Sequence, residues 1–166
     1  LWLINSGYVW ETRKCVPAGA TVLELGCASG VKYFGQRYRM IGCDLSSSSL
    51  RVVARSYELC ILADATRKIP LASNSVDAAI SSYFSEHLSA EMKSRLLMEL
   101  YRVLRPGAKM LFLYDLDTRN PLIESFKRRD LLLYTRLFLE NDGHIGYQSS
   151  SENRAIFEDN GFKVLS

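Results

Sequence analysis

Val22-Leu-Glu-Leu-Gly-Cys-Ala-Ser-Gly30 is the stretch on which the reading of the fold rests. Val22, Leu23 and Leu25 suit a buried strand, Gly26 breaks the apolar run, and Gly30 opens onto a short helix-compatible segment, Val31 to Tyr38. A strand, a tight glycine turn and a helix make the first half of a nucleotide-binding βαβ unit. Glycine suits such a turn because it bends sharply and lets a ligand lie against bare backbone. The helix start behind it presents free N–H donors. One such turn is a weak signal alone, and its weight depends on what ends the neighbouring strands.

On the N-terminal side, residues 1–15 read as a helix with Leu3, Ile4, Tyr8 and Trp10 available for packing, closed near Pro17-Ala-Gly19. On the C-terminal side, Met40–Asp44 and Cys60–Asp64 are strands that each close on a carboxylate, and Val76–Ser82 is a fourth. The serines at 46–49 offer N-cap oxygens to a helix reaching about Tyr57. Ser89 caps an amphipathic helix, Ala90 to Leu104, with Met92, Leu96, Leu100, Val103 and Leu104 as its inward stripe and Arg105-Pro-Gly107 as its stop. Lys109–Tyr114 is a fifth strand, a long and interrupted helical region covers 122–139, and Glu152–Asp159 is a helix closed by Gly161. Phe162–Leu165 is expected to begin a sixth strand. Strands alternating with helices call for a parallel sheet covered on both faces. Right-handed crossovers then gather every strand's C-terminal end on one edge. Glu24, Gly26, Asp44, Asp64 and Ser81–Tyr83, distant in sequence, are expected to converge there.

The bulk properties fit one domain. The 166 residues are enough to close a core, and 48% hydrophobic content excludes disorder. No apolar run approaches membrane-spanning length. A net charge of +3 is too mild to imply nucleic-acid binding, and the densest basic spot, Lys127-Arg128-Arg129, runs straight into Asp130, as a solvated helix face would. Cys15, Cys27, Cys43 and Cys60 show no C-x-x-C pair and no histidine at metal-ligand spacing, so no metal is expected. Reduced thiols and a cytoplasmic setting follow. No secretory signal precedes the first strand, and the absence of an initial methionine suggests a chain cut at one or both ends.

The edge is acidic, which discriminates between ligands. A carboxylate at the end of the second strand accepts two ribose hydroxyls of any adenosine compound, and one at the third accepts from an exocyclic amine. A dinucleotide adds a pyrophosphate, which these acids repel, whereas a sulfonium gains from them. The dinucleotide fingerprint also asks for glycine or alanine at 31, where Val31 stands.

Leu23-Glu-Leu-Gly-Cys-Ala-Ser-Gly30, Ile41-Gly-Cys-Asp-Leu45, Ala63-Asp64, Ile69–Asp77, Glu86-His87 and Arg102-Val-Leu-Arg-Pro-Gly107 together resemble class I S-adenosylmethionine-dependent methyltransferases. Within these the chain looks like the broad group acting on small molecules, lipids and sugars. The similarity covers 21 to about 113, with a looser echo from Gly143 to Phe162. It implies an α/β, doubly wound, mainly parallel sheet of the Rossmann-like methyltransferase fold, here without its final antiparallel strand, in one domain spanning 1–166. S-adenosyl-L-methionine is the implied cofactor and S-adenosyl-L-homocysteine the product. Glu24, Gly26 and Gly30 are assigned to the methionine end, Asp44 to the ribose, and Asp64 with Ala65 to the adenine. Cys27, Leu45 and Ser81 complete the expected cofactor set. Ala28 departs from the family's commonest turn glycine, which is tolerable if its φ is negative.

Methyl transfer is an in-line displacement in which the protein aligns nucleophile and methyl and excludes water. His87 is the expected general base, oriented by Glu86, with His144 as the other candidate; a purely structural role for either is the commoner case. Glu24 has an alternative as the partner of Lys32 or Arg37, and Asp64 as a turn cap. Tyr83, Phe84, Tyr114 and Tyr147 are candidate acceptor contacts or plain core. The segment 115–151 carries more apolar surface than a crossover needs: a lid over the acceptor, core, or a contact with a missing partner domain. The expected partner is a small-molecule, lipid or sugar acceptor, with no nucleic acid, no membrane span, and a partner domain or homodimer left open. A non-catalytic relative and a nicotinamide oxidoreductase are the competing functions.

Overall fold

Five strands hydrogen-bond in the order β3-β2-β1-β4-β5, every neighbouring pair parallel. They are β1 (Thr21–Leu25), β2 (Arg39–Asp44), β3 (Leu59–Leu62), β4 (Val76–Ser82) and β5 (Leu104–Leu113). This computed structural model describes residues 2–28, 30–114, 121–141, 143–146 and 148–165, without the side chains of 2–5 and 138. The helices are α1 (Trp2–Cys15), α2 (Lys32–Arg37), α3 (Ser47–Val53), α4 (Ala90–Val103), α5 (Pro121–Arg129), α6 (Leu131–Tyr134) and α7 (Ser150–Asp159). A 3-10 turn, Ser85–His87, follows β4, and a π turn, Thr135–Glu140, follows α6.

The sheet is covered on both faces because β1 alternates. Leu23 and Leu25 join one cluster with Ile41, Ala79, Leu96, Leu97, Leu100 and Val103. Val22 joins the other with Tyr8, Phe34, Met40, Leu50, Val53 and Ile80. A parallel strand buried on both sides reads as a near-continuous apolar run, as Val22–Leu25 and Val76–Ser82 do. Ser46 caps α3 through Ser49 N, Ser89 caps α4 through Met92 N, and Ser149 with Glu152 forms a full capping box for α7.

Four expectations change. Phe162–Leu165 forms no strand, so the described sheet ends at β5. Arg105-Pro-Gly107 does not separate helix from strand: β5 starts at Leu104, opposite Val76, and an irregularity absorbs the intervening residues before Ala78 pairs with Lys109. α3 stops at Val53, short of Tyr57. Trp10 is 58% exposed, while Tyr8 two residues earlier is in the core; Leu3 and Ile4 lie outside the described side chains. No helix among the described residues is long and apolar enough to cross a membrane.

Candidate active site

Chain order places β2 and β3 to one side of β1 and β4 and β5 to the other, so a crevice opens between the C-terminal ends of β1 and β4. Leu25 lies opposite Ser81 there, and Gly26 N donates to Cys43 O at 2.9 Å. Gly26 has φ 58° and Gly30 φ 64°, the left-handed region that glycine enters without penalty. Both also lack room for a side chain. A Cβ on Gly26 would stand 2.6 Å from the Phe84 ring, and one on Gly30 would stand 2.7 Å from Val53.

Ala28 adopts φ 39°, not the negative value expected of it. The turn's geometry asks for glycine and the chain supplies a Cβ, which costs about 1–2 kcal/mol for an L-residue. Ala28→Gly is expected to stabilise the fold by about 1 kcal/mol after the added flexibility of the unfolded chain is offset. Thermal melting should show this as a rise of about 2–4 °C.

Asp44 and Asp64 lie at the C-terminal ends of neighbouring parallel strands, and each carboxylate has a defined neighbour. Asp44, ending β2, accepts from Ala28 N at 3.1 Å and Ser46 N at 2.7 Å, tying the glycine turn to the start of α3. A carboxylate has about four acceptor positions, so two remain for a ligand's hydroxyls. Asp64 lies two residues past β3 and accepts from Thr66 N at 2.9 Å and Thr66 Oγ1 at 2.7 Å, the turn-cap arrangement. Beside it Ala65 is buried, and Leu45 past β2 is 72% exposed. Glu24 is buried under the turn, and its partner is the Tyr57 hydroxyl, not Lys32 or Arg37. Burial raises its carboxyl to about 7 against the opposing pull of that hydrogen bond. A cation arriving nearby would favour the ionised form.

Cys27 is buried and its thiol is pushed up to about 12 by that burial, so it is packing and not a nucleophile. Ser81 Oγ, at the crevice, is buried without a hydrogen-bond partner among the described residues. An orphaned hydroxyl and a carboxylate with spare acceptor capacity, set around a tight glycine turn, suit an adenosyl ligand with a positively charged sulfonium.

Beyond β4 the chain leaves the sheet under strain. Tyr83 takes φ 52°, its N donating to Leu113 O at 2.7 Å. The 3-10 turn then presents Glu86, 1% exposed, and His87, on the surface. His87 Nδ1 lies 3.2 Å from Gly143 O, and the His144 ring stands 5.0 Å from that of His87. Of the aromatic candidates, Tyr83 is 40% exposed, Phe84 packs on the core, and Tyr114 faces the Lys93 ammonium at 5.7 Å. Tyr147 lies outside the described residues.

Sequence reading missed Lys93. It is 2% exposed on the inward face of α4, and its Nζ donates to Gly146 O at 2.8 Å, to Asn153 Oδ1 at 2.8 Å and to Gln148 Oε1. Its spacing from Leu96, Leu97 and Leu100 was the available signal.

A doubly wound parallel sheet, with a glycine turn after its first strand and acids at the ends of the next two, is the arrangement of the class I S-adenosylmethionine-dependent methyltransferases. The family model described as "Methyltransferase domain" matches residues 23–112, and the chain belongs to that family. It is accordingly read as an enzyme whose cofactor is S-adenosyl-L-methionine, and the nicotinamide alternative falls away. Among solved structures it resembles a SAM-dependent methyltransferase from Archaeoglobus fulgidus, with TM-score 0.74, 16% identity, and coverage of 96% of this chain and 68% of that one. It also resembles a SAM-dependent methyltransferase from Aquifex aeolicus, with TM-score 0.67, 21% identity, and coverage of 97% and 80%. A curated relative is the tRNA (carboxymethyluridine(34)-5-O)-methyltransferase ALKBH8 of Macaca fascicularis, 35% identical over 107 residues. That match takes in 63% of this chain but spans only 16% of the relative's length. It overturns the expectation that nucleic acid is excluded as a partner. A mild net charge was a poor ground for that exclusion, because an acceptor base can be presented by surfaces outside the matched segment.

Proposed function

We propose that this domain transfers the methyl group of S-adenosyl-L-methionine, by in-line displacement, to a small-molecule, lipid or sugar acceptor with an apolar body. In this reading Asp44 accepts the ribose hydroxyls, Asp64 and Ala65 meet the adenine, and Leu45 lies against its face. Glu24, Gly26, Cys27, Gly30 and Ser81 surround the methionine end. His87 addresses the acceptor: Nδ1 is turned to the Gly143 carbonyl, and Nε2 is the ring nitrogen offered to the acceptor. It acts through that nitrogen, as a base or through what the nitrogen holds.

The observation supporting an apolar acceptor is the helical segment after β5. α5 buries none of its side chains, and Leu122, Leu131, Leu132, Leu133 and Leu137 are 80%, 64%, 84%, 41% and 44% exposed. Such a concentration of exposed leucines is surplus to a crossover helix and fits contact with an apolar molecule. Leu131→Asp with Leu132→Asp is expected to raise KM for an alkyl-chain acceptor about tenfold or more. Calorimetry should find cofactor affinity unchanged. An unaltered KM would overturn the reading.

A second reading has its own support in the 35% identity to a tRNA methyltransferase: the acceptor is a modified nucleoside in RNA. Incubation of the domain with methyl-labelled cofactor and either total tRNA or a lipid extract separates the two. Label confined to tRNA, insensitive to the leucine substitutions, would favour the second.

A further inference from the structure

The segment after the π turn is fastened to the 3-10 turn at several points. Gly146 N donates to Glu86 O at 2.8 Å, Lys93 Nζ donates to Gly146 O at 2.8 Å, and His87 Nδ1 meets Gly143 O at 3.2 Å. The approach is so close that a Cβ on Gly146 would stand 1.7 Å from Leu88 O. His144, far from His87 in sequence, is thereby held beside it. One donor atom from each of Glu86, His87 and His144 lies within 4.8 Å of the other two. The carboxylate is the buried floor, 1% exposed, and the imidazoles form the open rim.

We propose that Glu86, His87 and His144 bind a divalent transition-metal cation with a coordination position left open toward the acceptor. Two imidazoles and a carboxylate are the donor set of zinc and its first-row neighbours, whereas magnesium and calcium favour oxygen throughout. Three protein ligands leave room for a water or a substrate oxygen. The outer contacts fit as well. A ligating histidine ordinarily gives its other ring N–H to a carbonyl or carboxylate, and with Nε2 of His87 as the ligand Gly143 O would take that place. The fastened segment preorganises a donor that local sequence spacing does not reveal, and the proposal departs there from the expectation of no metal.

The cation's role rests on the methyl-transfer reading; its binding does not. In that role it polarises an acceptor hydroxyl and lowers its pKa, and the proton passes to solvent. The oxygen forms its bond to the methyl carbon as the carbon–sulfur bond breaks and sulfur keeps the electron pair. The products are the methylated acceptor, neutral S-adenosyl-L-homocysteine and one proton. His87 is then a ligand and not the base.

The test is direct metal binding by the whole chain. After dialysis against a chelator, calorimetric titration with Zn2+ and separately with Mn2+ is expected to show one site per chain for at least one of them. His144→Ala and His87→Ala should each weaken that binding about a hundredfold. S-adenosyl-L-homocysteine affinity should stay within about twofold in both, because neither residue is assigned to the cofactor. Failure to bind either ion, or equal binding in the variants, as cysteine ligation would give, overturns the proposal. Failure of the methyl-transfer reading would show itself separately, as wild-type protein that binds the metal but transfers no methyl group.

Discussion

Lys93→Met lowers the melting temperature by about 10 °C. Methionine fills the volume but leaves Gly146 O, Gln148 Oε1 and Asn153 Oδ1 facing a thioether that donates nothing. Each buried acceptor stranded in this way costs about 1–3 kcal/mol, less whatever a penetrating water restores. The loss is eased because the variant no longer has to bury an ammonium. A net cost of about 3 kcal/mol remains, and the melting shift follows at about 2–4 °C per kcal/mol for a domain of this size. The same change frees the segment around Gly146, so hydrogen exchange at its amide should accelerate more than exchange in β1 or β4.

The pH dependence of the wild type gives a second readout. Burial lowers the Lys93 pKa from 10.5 to about 8, against the pull of Glu86. Between those values the unfolded chain holds a proton that the folded chain has released, so stability rises with pH across that window. The advantage of the wild type over Lys93→Met should therefore widen above about pH 8. A difference independent of pH would mean that the three oxygens keep the ammonium charged in spite of burial.

Lys93 also marks where sequence reading runs out. β4 was legible to the residue because Val76–Ser82 is a short apolar run between turn formers. The glycine turn was legible because Gly26 and Gly30 break apolar patterns at a spacing suited to a strand–turn–helix. Asp44 and Asp64 were legible as acids at strand ends, and parallel pairing of β2 with β3 puts those ends on one edge of the sheet. Each of those signals is local, with topology adding the rest. Lys93 takes its meaning from Gly146, Gln148 and Asn153, more than fifty positions away. A lysine on an inward stripe is only an oddity until those partners are placed. His144 is alike: no ligand spacing joins it to Glu86-His87, and the docking of Gly146 on Glu86 O brings it there. Ala28 failed for another reason, since the turn imposes a positive φ and the side chain bears it.

Asp44→Ala is expected to weaken S-adenosyl-L-homocysteine binding about a hundredfold, or about 2.7 kcal/mol. Two hydroxyl-to-carboxylate hydrogen bonds, each worth about 1.5–3 kcal/mol, provide that much even if both are imperfect. The variant also severs Asp44 from Ala28 N and Ser46 N, so a loosened glycine turn would weaken binding without any ribose contact. A cycle on the ligand side separates the causes. S-adenosyl-L-homocysteine and its 2′-deoxy analogue are titrated against both proteins. If Asp44 holds the hydroxyls, the wild type distinguishes the two ligands by about tenfold and Asp44→Ala barely distinguishes them, the coupling being the shortfall from additivity. If Asp44 only braces the turn, both proteins discriminate equally and the losses add. The second outcome would leave the fold and family untouched while removing the ribose role, because only the first requires the carboxylate's two remaining acceptor positions to face the ligand.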